Sequence, residues 1–265
     1  MTDENYEWDA KDYEKHSSAQ YEWARELIAK LRPKGTESVL DIGCGDGKVT
    51  AAIAACVPEG NVLGIDSSEG MISLARERHP EGKYGNLAFR LMDARVIDFD
   101  NQFDVVFSNA ALHWVKDHLN ILARVKKCMR RDGRMLFQMG GKGNAKDILD
   151  VLDEMNNDQW GRYFRDFAPP YGFYGPEEYR SWLAAAGLEA KRIELIPKDM
   201  KYKDKDGLAG WIRTTWLPYL ERIPVERKET FVREIVERYV KMHPPDGEGN
   251  VCVKMVRLEV EATNH

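Results

Sequence analysis

Three aspartates stand at matching points of three short apolar runs: Asp41 in VLDIGCGDG (39–47), Asp66 in GIDSS (64–68) and Asp93 in MDA (92–94). Gly43, Gly45 and Gly47 follow the first of them. A glycine-rich turn after a buried strand lets backbone N–H groups approach a nucleotide. A hydride-carrying dinucleotide calls for G-x-G-x-x-G, and Lys48 stands where the third glycine of that pattern falls. Asp41 lies two residues before the first glycine, where a carboxylate repels pyrophosphate and attracts an ammonium group. Asp66 follows at about the 20-residue spacing at which an acid accepts from ribose hydroxyls. Asp93, with Ala94, ends a third run and is placed to accept from an exocyclic amine. An adenosine with a cationic amino-acid tail and no phosphate satisfies all three, and that ligand is S-adenosylmethionine. Taken singly, Asp66 and Asp93 read equally well as helix N-caps. Asp41, before the turn and inside an apolar run, does not.

The elements that position these residues alternate. Ala19, Trp23, Leu27 and Leu31, flanked by Ala24 and Ile28, form a helical stripe before a strand at 38–41. A helix then presents Val49, Ala52, Ile53 and Cys56 as its apolar face. Strands follow at 62–66, 87–92, 103–109 and 134–139, with helices at 69–79 and 116–130. This βαβ pattern predicts a parallel sheet wrapped by helices on both faces. Beyond Gly140 come a helix at 144–159, an irregular aromatic stretch at 164–175, a helix at 176–186 and a strand at 188–196. Helices at 208–220 and 225–241 and a strand at 251–260 complete the chain, and the charge run 198–207 reads as a solvated loop.

Composition narrows the function classes. The chain has 265 residues, 43% hydrophobic and 31% charged, enough for one large α/β domain with a modest cap. No apolar run approaches the roughly 18 to 20 residues that cross a bilayer. The polar, acidic opening MTDENYEWDAKDYEKH resembles neither a secretory signal nor a transit peptide, so a cytoplasmic location is expected. The net charge is −5 with basic residues interspersed among acids, which disfavours nucleic acid as a partner. Cys44, Cys56, Cys128 and Cys252 lie far apart without a C-x-x-C pair; no zinc site or disulfide is expected, and all four read as small core fillers.

Residues 36–140 carry, in order, VLDIGCGDG, GIDSS, MDA, FDVVFSNAALHW and GRMLF, and this series resembles the class I S-adenosylmethionine-dependent methyltransferases. WDAKDY, FSNAALHWVKDH and WIRTTWLPYLERIP are similar to a narrower group, the trans-aconitate and juvenile hormone acid methyltransferases, which esterify small carboxylic acids. The resemblance implies one domain with a Rossmann-like, seven-stranded, mostly parallel sheet. Its final strand would run antiparallel, paired hairpin-fashion with 188–196, and a helical cap would come from 1–30, 141–175 and 207–241. It further implies that Asp41, Gly43 and Gly45 hold the methionine end of the cofactor. Asp66, assisted by Ser67, would hold the ribose, and Asp93 with Ala94 would frame the adenine. Asn109 would face the methionine moiety or the sulfonium. Trp114 and Gln20 match positions that contact the substrate carboxylate in the juvenile hormone acid group.

The chemistry asks little of the protein. The cofactor brings an activated methyl group, so positioning and exclusion of water dominate. A carboxylate is already ionised at neutral pH and needs no base; an amine or hydroxyl acceptor calls for one. His113 is the histidine placed for that role, and it reads more readily as a buried residue orienting its loop. No metal is expected. On the helix 208–220, Trp211 and Thr215 share a face and Ile212, Trp216 and Tyr219 a neighbouring one, with Arg213 or Thr214 as a polar handle toward a substrate. The favoured reading is methyl transfer to a small-molecule acceptor, a carboxylic acid first. The alternatives are a small-molecule N- or hydroxyl O-methyltransferase and a non-catalytic cofactor binder. A macromolecular substrate is disfavoured by Ser108-Asn109-Ala110-Ala111, where nucleic-acid amino-methylating enzymes carry an acidic or polar residue and two prolines.

Overall fold

The computed structural model describes residues 18–80 and 84–265, with the side chains of 18–22 outside that description. Trp8 and Tyr13 therefore lie outside the described residues, as does the Gln20 side chain. In chain order the first elements are α1 (Ser18–Leu31), β1 (Ser38–Ile42), α2 (Lys48–Cys56), β2 (Asn61–Asp66), α3 (Glu69–Arg78), β3 (Leu87–Leu91), β4 (Phe103–Asn109), α4 (His118–Cys128) and β5 (Met129–Gly140). Then come α5 (Lys146–Asn156), α6 (Pro176–Ala186), β6 (Glu189–Pro197), β7 (Met200–Tyr202), α7 (Lys205–Thr215), α8 (Leu217–Leu220), α9 (Val225–Met242), β8 (Val251–Val253) and β9 (Val256–Thr263). Among the described residues no helix is long and apolar enough to cross a membrane.

Among the described residues these elements divide between two compact units, one of residues 18–80, 84–142, 171–196 and 257–265, the other of 143–170 and 197–256. The expected cap segments divide as well: 18–30 and 171–175 belong to the first unit, and 207–241 to the second.

The first unit is built on a seven-stranded sheet of order β3-β2-β1-β4-β5-β9-β6. Strands β1 to β5 pair in parallel, and β9 runs antiparallel to β5 with Arg134 opposite Thr263 and Gly140 opposite Arg257. The Rossmann-like architecture and the antiparallel last strand are as expected. Alternation along β1 sends Val39 to one face and Leu40 and Ile42 to the other. Val39, Val105 and Phe107 pack with Leu27, Ile53 and Ile72 from α1, α2 and α3. Leu40, Val106 and Phe137 pack with Ile121, Val125, Tyr179 and Leu183 from α4 and α6. With both faces covered the strands read as apolar runs. The strand order reverses between β1 and β4, and ligands of such sheets sit outside the carboxyl ends at that point.

The sequence expectations for β5, α2, two cysteines and the last strand are corrected. Strand β5 begins at Met129 rather than 134, because residues between Phe103 and Val105 of β4 meet a bulge in which Asp132 takes φ +62. The buried face of α2 is Thr50, Ile53 and Ala54, continued by Val57, so Cys56 is exposed. Cys252 is exposed too, on the outward side of a strand with buried neighbours; only Cys44 and Cys128 are core fillers. The strand expected at 251–260 is two, β8 and β9, which fall in different units.

In the second unit, the run 198–207 is no plain loop. Met200, Lys201 and Tyr202 alternate buried and outward and pair antiparallel with β8, and Asp204 caps α7 by accepting from Gly207 N at 2.8 Å. The helix expected at 208–220 breaks at Trp216, and Pro218, which has no N–H to continue the ladder of α7, lies in the first turn of α8, where none is needed. Both Trp211 and Trp216 are buried in this unit. Arg213 is exposed and paired with Glu229 at 2.7 Å, while the Thr214 hydroxyl donates to its own helix.

Candidate active site

The turn after β1 is shaped by backbone bonds that side chains would obstruct. The N–H groups of Gly43 and Cys44 both donate to Ile65 O, at 2.8 and 3.0 Å, so the turn folds over the end of β2. Gly43 sits at φ +75, and a Cβ there would lie 2.1 Å from Ala111 Cβ. Gly47, at φ +80, would drive its Cβ to 2.6 Å from the Phe89 ring. Neither position accepts a side chain without moving its neighbour. Asp66, ending β2, accepts from Gly45 N through one carboxylate oxygen and from Ser68 N through the other, each at 2.9 Å. It therefore ties the first turn to the second. The N-cap duty suspected of Asp66 falls to Ser68, whose Oγ accepts from Met71 N at 3.3 Å. Each Asp66 oxygen keeps lone pairs for further donors. Ser67 beside it is exposed.

The electrostatics of these acids favour a cation. Asp41 is 2% exposed on the α1–α3 face. Burial pushes its carboxyl up to about 7, against the hydrogen bond from Thr50 Oγ1 at 2.7 Å and with added repulsion from Asp66. Asp66 is raised as well, chiefly by burial, which outweighs the bonds it accepts. A positive group brought between them would stabilise both carboxylates. Asp93 differs: burial pushes it up, but the hydrogen bonds and charge of Arg95 win and hold it below the usual range. Arg95 Nε lies 3.0 Å from one Asp93 oxygen and Nη2 2.6 Å from the other. Asp93 is also the N-cap of the short turn that begins at Ala94, accepting from Arg95 N. Both readings of Asp93 thus meet in one residue, and its remaining acceptor capacity is smaller than that of Asp66.

Asn109 ends β4 half-buried, opposite Gln138 of β5. Ala110 then takes φ +56, its N–H donating to Gln138 O at 2.8 Å, and the chain turns into a short helix, Leu112–Trp114. His113 is 9% exposed, and its Nδ1 has no hydrogen-bond partner among the described residues. Burial, then the charges of Arg257 and His118, push its pKa down to about 3. At neutral pH the ring is uncharged. The Trp114 ring lies 5.5 Å from it and the Phe173 ring 5.9 Å, while Tyr171 and Phe173 are parallel to within 2° at 5.3 Å. Trp114 is also 5.0 Å from Tyr171, and Gly172 N donates to His113 O at 2.8 Å. The stretch 171–174, irregular by sequence, thus backs the turn that carries His113 and Trp114.

One residue of this region passes unnoticed in the sequence. His118, buried at the start of α4, directs Nε2 at Leu112 O (2.9 Å) and Val115 O (2.8 Å) and Nδ1 at the Tyr179 hydroxyl (2.6 Å). Two carbonyls accept at Nε2, so the proton is on Nε2 and Nδ1 accepts from Tyr179. His118 fastens both ends of the turn holding His113 and Trp114. The structure thus brings Asp41, Gly43, Gly45 and Asp66 together at the carboxyl ends of β1 and β2. Gln20 lies on α1, with its side chain outside the described residues.

The donor set fits S-adenosylmethionine: a glycine turn with open space beside Gly45, and a buried and a half-buried acid, Asp41 and Asp66, whose raised carboxyls a cationic tail would relieve. The methyltransferase domain family matches residues 39–133. An uncharacterized methyltransferase of Schizosaccharomyces pombe is 31% identical over 201 residues, 72% of this chain and 74% of that protein. The trans-aconitate 2-methyltransferase of Methylobacterium nodulans is 28% identical, covering 95% of this chain and 96% of its own. Among solved structures, phosphoethanolamine N-methyltransferase 2 of Haemonchus contortus, in complex with S-adenosylhomocysteine, has a TM-score of 0.61 at 19% identity, over 96% of this chain and 56% of that one. A geranyl diphosphate methyltransferase in complex with S-adenosylmethionine has a TM-score of 0.56 at 16% identity, over 92% of this chain and 85% of that one. These last two likenesses speak for the fold. With the sheet order, the glycine turn over its carboxyl end and these relatives in agreement, the chain belongs to the class I S-adenosylmethionine-dependent methyltransferases.

Proposed function

We propose that this enzyme transfers its methyl group to a carboxylate oxygen of a small organic acid, forming a methyl ester. The observation that carries the reading is His113. The histidine beside the expected acceptor position is buried, neutral and held near pKa 3, far below what a base at neutral pH requires. An ionised carboxylate is the acceptor that needs none. Similarity to trans-aconitate 2-methyltransferases along almost the whole chain supports the same reading.

S-adenosylmethionine, when bound, supplies a methyl group already activated on a sulfonium. Asp41, Gly43 and Gly45 hold its methionine end, and Asp66 with Ser67 holds the ribose. Asp93 and Ala94 border the adenine, and Asn109 stands by the methionine moiety. Trp114, through its indole N–H, and Gln20, through its amide, orient the acceptor carboxylate. His113 moves no proton; it packs between Trp114 and Phe173 and sets the turn.

The test is a panel of carboxylic acids, amines and phenols assayed with wild type, Trp114→Phe and His113→Ala. Acids should be methylated, Trp114→Phe should lose about tenfold or more in turnover of acids with cofactor affinity kept, and His113→Ala should lose less than about a hundredfold. Methylation confined to amines or phenols, with His113 indispensable, overturns the proposal.

A further inference from the structure

In the second unit, Trp160 precedes the short helical turn Gly161–Tyr163 and is fully buried. Its indole N–H donates to Glu234 of α9 at 2.8 Å, and Glu234 also holds Arg238, so this acid is committed to those two donors. Arg227, in the first turn of α9, lays its Cζ 4.5 Å over the Trp160 ring, and Arg162 lays its own 4.7 Å over the Tyr163 ring. Stacking of this kind holds a guanidinium in place without spending its N–H groups. The two then converge on one atom: the Tyr163 hydroxyl oxygen accepts from Arg162 Nη2 at 2.7 Å and from Arg227 Nη1 at 3.0 Å. Among the described residues no carboxylate pairs with Arg162 or Arg227, whereas Arg213 and Arg238 of the same unit each hold one.

Two positive groups side by side repel each other unless an anion joins them. Slight desolvation pushes the Tyr163 phenol up, but the hydrogen bonds from Arg227 and Arg162 and their charges win and hold it below the usual tyrosine range, so the spot favours negative charge. With two N–H donors on its oxygen, the phenol has its own proton left to donate, and no described residue accepts it. Each guanidinium keeps further N–H groups beyond the one given to Tyr163. Arg162 is exposed and Tyr163 and Arg227 are half-buried, so a ligand reaches the cluster from solvent.

Three donor groups and two positive charges define that ligand. A phosphate monoester carries about two negative charges near neutral pH and three strong acceptor oxygens. A carboxylate brings one charge and two oxygens, and leaves one guanidinium unmatched. We infer that Arg162, Tyr163 and Arg227 form a binding site for a phosphate group, that of a small organic phosphate monoester or inorganic phosphate itself. The site is built from the second unit alone and does not depend on the carboxylate reading of the methyl acceptor.

The experiment titrates the full chain by calorimetry, at constant ionic strength, with inorganic phosphate, glycerol phosphate, phenyl phosphate and, for comparison, acetate. Wild type should bind at least one of the phosphates saturably with a Kd of about 1 mM or tighter, and acetate at least about tenfold more weakly. Arg162→Gln and Arg227→Gln should each weaken phosphate binding by about tenfold or more, and Tyr163→Phe, which keeps the ring and removes the hydroxyl, by severalfold. Arg180→Gln, which removes the same charge from an exposed position on α6, should leave it unchanged. Equal affinity for inorganic phosphate and the esters marks free phosphate as the ligand, and tighter binding of an ester marks an organic monoester. No saturation by any phosphate below about 10 mM, acetate bound as tightly as phosphate, or affinity unchanged in both arginine variants would overturn the inference and leave the proposed methyl transfer untouched.

Discussion

Binding of the methyl donor should expel a proton from Asp41. Before binding, burial leaves this carboxyl near pKa 7, so at pH 7 about half the molecules carry it protonated. The ammonium of the ligand's amino-acid tail favours the carboxylate and lowers the pKa, so the complex binds fewer protons than the free enzyme. If only the ionised form receives the ammonium, the receptive share rises from roughly one-tenth at pH 6 to roughly nine-tenths at pH 8. Affinity should then tighten about tenfold across that range, about 1.4 kcal/mol, with about half a proton released at pH 7. Calorimetry with S-adenosylhomocysteine in two buffers of different ionisation enthalpy reads both quantities. Asp41→Asn separates the aspartate from the ligand's own amine: it should bind more weakly at pH 8, with the release and the tightening abolished. Proton uptake by wild type, or an unchanged release in Asp41→Asn, would refute the reasoning.

Three further outcomes follow from the same geometry. Asp41→Asn should melt higher than wild type at pH 8 without ligand, by order of 2 kcal/mol, because a carboxyl raised on folding contributes stability that is lost as pH rises through about 7. His113 has the opposite sign: held down to about 3 when folded, it contributes stability that is full above about pH 6.5 and falls away toward acid, so melts of His113→Asn should show a flatter decline between pH 6.5 and 4 than wild type. Gly43→Ala should lose cofactor affinity and about 1 to 3 kcal/mol of stability, because its Cβ would meet Ala111 Cβ at 2.1 Å; Ala111→Gly in the same chain should restore part of the loss, as calorimetry and melts can check.

What was legible in the sequence is what is local. The G-x-G-x-G turn, Asp41 and Asp66 lie within one βαβ unit, and their spacing follows strand and helix geometry that any such unit shares. The α1 stripe of Trp23, Leu27 and Leu31 is legible for the same reason, since each of its members is buried as its period demands. The α2 stripe was misread because small residues at Ala51, Ala52, Ala54 and Ala55 blur which side is apolar, and Cys56 was drawn to the wrong one. Beyond such units the signal fades. His118 finds Tyr179 61 positions away, and Glu259 finds Lys30 at a separation of 229; only the folded sheet brings these pairs together. Nothing in the sequence around Arg257 signals its burial. Strand order, which spacing does not encode, puts β9 between β5 and β6 and buries it. Asp93 shows a third limit: its position was legible, while the grip of Arg95 on both oxygens depends on side-chain geometry.

The central claim, methyl transfer to a carboxylate, is tested most directly by the alkali lability of the product. Enzyme, methyl-labelled S-adenosylmethionine and a pool of small organic acids, amines and phenols are incubated together, and the labelled product is treated with mild base. The account predicts that the label is released as volatile methanol and that the intact product is heavier than an acid of the pool by one methylene. Label that stays with a base-stable N-methyl or aryl ether product would contradict it.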